Sequence, residues 1–266
     1  MWVRKKNGIF AMIYYWALKM EIEKRISGKV LGVTEFGCSE LELLINASRA
    51  FGRSTYQGLY VIDLVSKSML YVSENMEKWY GASSQKIKRS GMVFYLENIP
   101  SEERMVLKEV NQKGLVFFNR LPLEERMDYV LVYDFHVTCG HRRRLVRHSL
   151  TPMYLEKDGK IRLVLCSVSL SPRKSIGCYM MRRVGTGWCF EYSLDGHRWV
   201  KRRRTVLSKM EYEVLFLSAQ GFNITAIARC LCRSEDAIKS CRKKIFLKLE
   251  VKNITSALAV ARSESL

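Results

Sequence analysis

The sequence predicts an α+β chain: a five-stranded antiparallel sheet with helices on one face, followed by a separate all-α segment of four helices. Three observations predict it. Alternating runs of β-branched and aromatic residues cluster between positions 58 and 171 and break at polar turns. From Leu207 the apolar period becomes that of helices, with a capping signal at each start. The 266 residues are 48% hydrophobic with only 4 prolines, which allows sizeable cores and excludes a disordered or collagen-like chain.

Charge and cysteine usage narrow the class of partner. Forty-five Lys plus Arg against 26 Asp plus Glu leave a net charge of +19, so the surface suits a polyanion, either nucleic acid or an anionic membrane. The 8 cysteines are scattered through hydrophobic segments without the spacing of a secreted disulfide scaffold, which points to a reducing cytoplasm. Cys230 and Cys232 form a C-x-C with Cys241 nearby, too few ligands for a closed zinc site.

The N-terminal part, residues 1–57, is expected to be a helical extension. Its apolar run from Ile9 to Leu18 is about ten residues, short of the ~20 a membrane span needs. No small-residue cleavage site follows it. The run reads as a packed or dimer-forming helix, with Phe10, Ile13, Tyr14 and Ala17 on one side. An extension ahead of a start at Met12 or Met20, and a membrane-surface anchor, are the other readings.

Residues 58–171 begin with strand-like runs Leu59–Leu64 and Met69–Ser73 around a polar turn at Val65–Ser68, a hairpin pattern. Glu74 to Tyr80 reads as a short helix stopped by Gly81. A longer helix is expected from Pro100 to about Gln112, opened by Ser101-Glu102-Glu103, and a short one around Pro122–Arg126. Three alternating runs follow, Tyr129–Thr138, Arg143–Leu155 and Lys160–Leu170, the last two joined by an Asp158-Gly159 turn. This order, with Tyr60-Val61-Ile62-Asp63, Leu70–Asn75 and Tyr80-Gly81, resembles a PAS sensor domain. The resemblance implies a sheet that encloses a small-ligand cavity or serves as a dimer surface. A flavin-photoadduct version would carry a Cys between Ser83 and Asn98, where there is none. A haem version would carry a His on the helical part, and His136, His141, His148 and His197 fall on strands, turns or the later connector. No cofactor is expected.

Residues 172–206 read as a connector holding a hairpin and then the basic block Lys201-Arg202-Arg203-Arg204. The block is either a solvated face or a phosphate contact.

Residues 207–266 carry the clearest signals. Ser208 with Glu211 forms a capping box ahead of Met210, Val214 and Leu217, and Gly221 ends that helix. Asn223 caps a short helix with Ile224, Ile227, Ala228 and Leu231 inward; Ser234 caps a third, with Glu235 and Asp236 at its positive end. Two short helices joined by about three residues are a helix-turn-helix. The third places Ile238, Cys241, Ile245 and Leu249 on one stripe and Lys239, Ser240 and Lys243 on another; over 235–249 it is ~22 Å long and of a width that fits the major groove. Residues 201–266 hold 14 Lys plus Arg against 6 Asp plus Glu. The run Leu207-Ser208-x-x-Glu211-x-Glu213-Val214-Leu215, then Ala219-x-Gly221, Ile227-Ala228-x-x-Leu231, Ser234-x-x-Ala237-Ile238-Lys239 and Ile245-x-x-Lys248-Leu249-x-Val251-x-Asn253 resembles the LuxR-type DNA-binding domain of bacterial transcription regulators. The resemblance implies that the helix bearing Lys239 enters the major groove, that Lys239, Ser240 and Lys243 occupy base-reading positions, and that a last helix from Asn253 to about Ala261 supplies a dimer contact. Ala226, Ala237 and Cys241 depart from the family's usual Glu, Thr and His, which suggests modest affinity.

The expected function is sequence-specific recognition of double-stranded DNA by a cytoplasmic, homodimeric transcription regulator, with Lys239, Ser240, Lys243, Arg242, Thr225, Asn223 and Lys244 at the DNA. RNA polymerase is a candidate partner, as is a small molecule in the PAS-like part; a membrane partner and a metal are not expected. Ile254, Ala257, Leu258 and Ala261 are expected to help hold the dimer. The alternative is a basic protein-interaction module without sequence-specific recognition. An enzyme would have to use Cys139, His141 and His148, with no third group to orient the base, and none is expected. A phosphoacceptor receiver would need a parallel βα fold.

Overall fold

The computed structural model describes residues 38–140, 142–183 and 185–264. The apolar run at 9–18 and its Phe10, Ile13, Tyr14 and Ala17 lie outside these, as does His141. Helix α1 (Cys38–Ser54) leads to β1 (Gly58–Asp63) and β2 (Ser68–Val72). The turn between the two strands is held by Asp63 Oδ1, which accepts from the amides of Val65 at 2.8 Å and Ser66 at 3.2 Å. Helices α2 (Asn75–Tyr80), α3 (Ser84–Glu97) and α4 (Ser101–Arg120) come next, then a 3₁₀ turn (Leu123–Asp128). Gly81 stops α2 in the left-handed conformation at φ 66°.

One helical expectation is corrected and one helix is added. Helix α4 runs to Arg120 rather than Gln112, because its buried stripe of Leu107, Val110, Gly114 and Phe118 continues past that point. Helix α3 has no counterpart in the sequence reading. Gly91 interrupts it at φ 55°, ψ −137° and breaks the apolar period into two short pieces.

Strands β3 (Tyr129–Cys139), β4 (Arg142–Leu155) and β5 (Ile161–Leu170) match the three alternating runs. Between β4 and β5, Gly159 adopts φ 79°, and a Cβ there would lie 1.9 Å from Leu123 Cδ2. Only glycine lets this turn close on the 3₁₀ segment. The five strands expected over 58–171 are joined by three more. The connector forms a meander of β6 (Tyr179–Arg183), β7 (Trp188–Ser193) and β8 (Arg198–Arg203). The single sheet runs β2-β1-β5-β4-β3-β6-β7-β8 with every pair antiparallel.

Helices α2 to α4 cover one face of this sheet. Met76, Tyr80, Ile87, Phe94, Tyr95, Leu107 and Phe118 pack there against Tyr60, Leu131, Tyr133, Phe135, Cys166 and Met181. Strand pairing aligns Val168, His148, Tyr133 and Tyr179 in one row and Cys166, Leu150, Leu131 and Met181 in the next. On the opposite face the directly opposed Asp134 and Arg147 form a buried two-pronged ion pair, both contacts 2.9 Å. The added meander is fixed to α4. Tyr192 Oη donates to Glu109 Oε1 at 2.5 Å, Trp199 Nε1 donates to the Lys113 carbonyl at 3.2 Å, and Phe117 meets Phe190 edge-on at 4.9 Å.

A second core belongs to the C-terminal helices α5 (Lys209–Ala219), α6 (Ile224–Cys230), α7 (Glu235–Lys248) and α8 (Ile254–Glu264). Val214, Leu215, Ile227, Ala228, Ile238, Cys241, Ile245, Leu249, Ala257, Val260 and Ala261 fill it. Among the described residues no helix is long and apolar enough to cross a membrane.

Candidate nucleic-acid interface

Each helix of the C-terminal domain begins where its capping residue says it should. Ser208 Oγ accepts from Glu211 N while Glu211 Oε2 accepts from Ser208 N at 2.7 Å, a complete capping box. Asn223 Oδ1 accepts from Ala226 N at 2.8 Å and Ser234 Oγ from Ala237 N at 3.2 Å. The turn between α6 and α7 passes through Cys232 at φ 52°. Thr225 Oγ1 donates to Glu235 Oε1 at 2.7 Å, which ties α6 to the first turn of α7.

Helix α7 has two distinct sides. Ile238, Cys241 and Ile245 are buried with Leu249, and this stripe docks the helix on α5 and α6. Lys239, Ser240, Lys243 and Lys244 are exposed on the other side. Fourteen residues at ~1.5 Å each make a helix of ~21 Å, long enough to lie along a groove. The exposed cations differ in their surroundings. Lys239 Nζ is 3.0 Å from Asp236 Oδ1, and this carboxylate holds the lysine pKa above its ordinary value. Lys243 has no carboxylate partner among the described residues. Arg242 is half-buried, its guanidinium 5.9 Å from the Phe246 ring centroid, so it lies at the edge of the docking stripe rather than on the free face. Asn223 and Thr225 are exposed at the start of α6 and are engaged in the cap and the Glu235 contact.

Sequence reasoning missed three residues here. Asp236 and Leu247, the latter 79% exposed, share the free face of α7, and helical spacing from Lys243 would have placed both. Lys248 reaches back across the domain, its Nζ 2.6 Å from Glu211 Oε2 and 3.2 Å from the Val206 carbonyl. Burial tends to raise the Glu211 pKa, but the hydrogen bonds from Lys248 and Ser208 outweigh it and leave the carboxyl below its usual value. No local pattern could reveal this contact, because its partners are 37 positions apart.

The expected dimer residues of the last helix need correction. Ala257 is fully buried and Ala261 nearly so, within the domain's own core, while Ile254 and Leu258 pack against that core. Small side chains there let α8 approach α5 and α7 closely. Cys139, at the end of β3, and His148, opposite Tyr133, are not brought together: the imidazole is buried against Tyr60, whose Oη lies 2.6 Å from its Nε2. Burial pushes the His148 pKa down to about 3. Cys230 and Cys232 are exposed whereas Cys241 is buried, and among the described residues no cluster of three His, Cys, Asp or Glu could hold a metal.

Residues 205–261 match the family described as bacterial regulatory proteins, luxR family. Residues 205–261 form a luxR-family helix-turn-helix domain. In this chain the matched segment follows the antiparallel sheet. No curated protein sequence matches the chain. Among solved structures, the phage VqmA–DPO complex is 13% identical, aligned over 84% of this chain and 88% of that one at a TM-score of 0.32. The Vibrio cholerae VqmA dimer without target DNA is 15% identical over 86% and 88%, at 0.31. The PAS domain of Bordetella pertussis BvgS is 17% identical over 50% and 85%, at 0.29.

Proposed function

We propose that the chain binds specific sites in duplex DNA as a homodimer, with α7 in the major groove, and that the sheet over 58–171 senses a small molecule. Residues 1–57 then act as an extension, 172–206 as a connector that also completes the sheet with β6 to β8, and 207–266 as the effector, working in the cytoplasm with RNA polymerase as a further partner. The observation that carries this reading is the two-sided character of α7: one stripe is committed to the core and the other offers Lys239, Ser240, Lys243 and Lys244 to solvent. Asn223, Thr225 and Arg242 flank that face as backbone-contact candidates. One short helix touches few base pairs, too few to single out a site in a genome, so a second copy supplies the remaining discrimination.

The ligand reading is supported by the sheet's aromatic interior. Tyr80 is 4% exposed, close to Tyr133 and Cys166, and its hydroxyl has no hydrogen-bond partner. A buried hydroxyl without a partner is costly, and a polar group on a small ligand would satisfy it.

Selection of duplexes from a random-sequence library by the full chain tests the function. The expected product is an inverted repeat with half-site centres ~10 bp apart or a multiple of that. Enrichment of single half-sites would remove the dimer, and binding indifferent to sequence would favour the basic interaction module.

A further inference from the structure

Strand β8 ends the sheet. It pairs with β7 along one edge, and no described strand lies along the other. Four of its six residues are cations, Arg198, Lys201, Arg202 and Arg203. Lys201 lies opposite Phe190 and Arg203 opposite Trp188, so these two cations share a face and are ~6.8 Å apart along the strand. Both are exposed. Lys201 Nζ sits 4.8 Å from the Trp188 ring centroid, and Arg203 has no carboxylate partner among the described residues. On the other face Arg202 is 3.6 Å from Glu191.

Cations on an edge strand commonly guard it against pairing with another chain. Two observations point beyond that role. The first is the path of the chain. Thr205 Oγ1 donates to the Lys248 carbonyl at 3.4 Å, and the Val206 carbonyl accepts from Lys248 Nζ at 3.2 Å. The chain leaving β8 is therefore tied to the last turn of α7, with Arg203 only two residues, ~7 Å, from that tie. The second is spacing. Successive phosphates of one DNA strand are separated by more than their ~3.4 Å axial rise, because the backbone winds around the axis, and lie roughly 7 Å apart, so two cations ~6.8 Å apart match neighbouring phosphates.

We propose that the β8 edge is a second phosphate-binding surface, in which Lys201 and Arg203 hold the sugar–phosphate backbone beside the base pairs that α7 reads. This rests on the reading of α7 as the DNA-contacting helix. Contacts of this kind fix register and orientation and carry no sequence information themselves. Because β8 belongs to the sensor sheet, they join the sensing half directly to the duplex.

The test uses the full chain, a duplex that the parent selects from a random library, and two charge-matched variants. One is Lys201→Gln/Arg203→Gln; the other is Lys88→Gln/Arg89→Gln, on the exposed side of α3. Binding is measured against salt. Each lost phosphate contact lowers the slope of log K on log salt by about 0.9, so the β8 variant loses about 1.8. Its deficit relative to the parent then shrinks about tenfold between ~50 and ~200 mM salt. Its base-pair preferences stay those of the parent, and the α3 variant keeps the parent's slope. Equal slopes for the β8 variant and the parent overturn the proposal, as does an equal loss in both variants, which is long-range charge alone. Self-association of the β8 variant with an unchanged slope assigns the cations to edge protection. A parent that selects no sequence removes the α7 reading and this inference with it; a parent that selects one, with an unchanged β8 variant, removes this inference only.

Discussion

Replacing Lys243 and Lys239 separately with alanine tests the reading face of α7, and the structure ranks the two. A good side-chain contact to a base edge discriminates by roughly 5- to 150-fold. A lysine offers a point contact rather than a two-pronged one, which puts the expected loss for Lys243→Ala in the lower part of that range, about 5- to 30-fold. Lys239 begins 3.0 Å from Asp236 and must leave or share that carboxylate to reach DNA, so Lys239→Ala loses less. The same contact makes a prediction of opposite sign. Asp236 is 89% exposed on the free face, where its charge opposes phosphate. Asp236→Asn removes that repulsion and releases Lys239, which tightens binding and steepens the salt dependence by up to about 0.9. Fluorescence anisotropy at several salt concentrations, with footprinting to read base preference, measures all three variants. If Lys239→Ala and Lys243→Ala footprint as the parent does, or Asp236→Asn weakens binding, α7 presents a different face to its partner. Thermal melts of the variants separate binding from folding.

Two further predictions concern what supports that face. Glu211→Ala removes half of the capping box and leaves Lys248 without its carboxylate; a destabilisation of the C-terminal domain of about 2 kcal/mol is expected by chemical denaturation, with Glu211→Gln retaining part of the cap. Because the folded Glu211 pKa is lowered, this contribution is full above pH ~4.5 and fades as pH falls through the lower folded value, so unchanged acid sensitivity in Glu211→Gln would contradict it. In the sheet, His148 is held neutral with its pKa at about 3, while the unfolded chain takes up the proton near pH 6.5. Stability is full above that pH and declines by about 1.4 kcal/mol per unit below it, until pH ~3. Urea midpoints between pH 7 and 5 should therefore fall in the parent and fall less in His148→Phe; equal falls in both would assign the acid sensitivity to other groups.

The parts of the molecule that were legible in the sequence are those set by neighbours a few positions away. Ser208, Asn223 and Ser234 each cap the helix that the sequence places after them, because an N-cap acts on amides two or three residues on. The buried stripe of α7 could be read for the same reason, since side chains four apart fall on one side. The alternating runs gave β3, β4 and β5 nearly to the residue. Helix α3 was missed because Gly91 leaves each half too short for a clear period; Ser83 caps it by accepting from Lys86 N, and packing of Ile87, Phe94 and Tyr95 on the sheet holds it.

The sequence by itself determined the two kinds of architecture, the helix boundaries of the C-terminal domain and the cationic side of α7. Tertiary structure decided the rest. It made the connector part of the sheet, through Tyr192, Trp199 and Phe190 on α4, and it sent Ala257 and Ala261 into the core rather than to a partner. It also joined Lys248 to Glu211 and set Asp236 beside Lys239 on the exposed face of α7. The physical reason is range. Caps and periodicity are local and written into adjacent residues, whereas burial and ion pairing depend on which distant surfaces meet, and that is fixed only when the whole chain has packed.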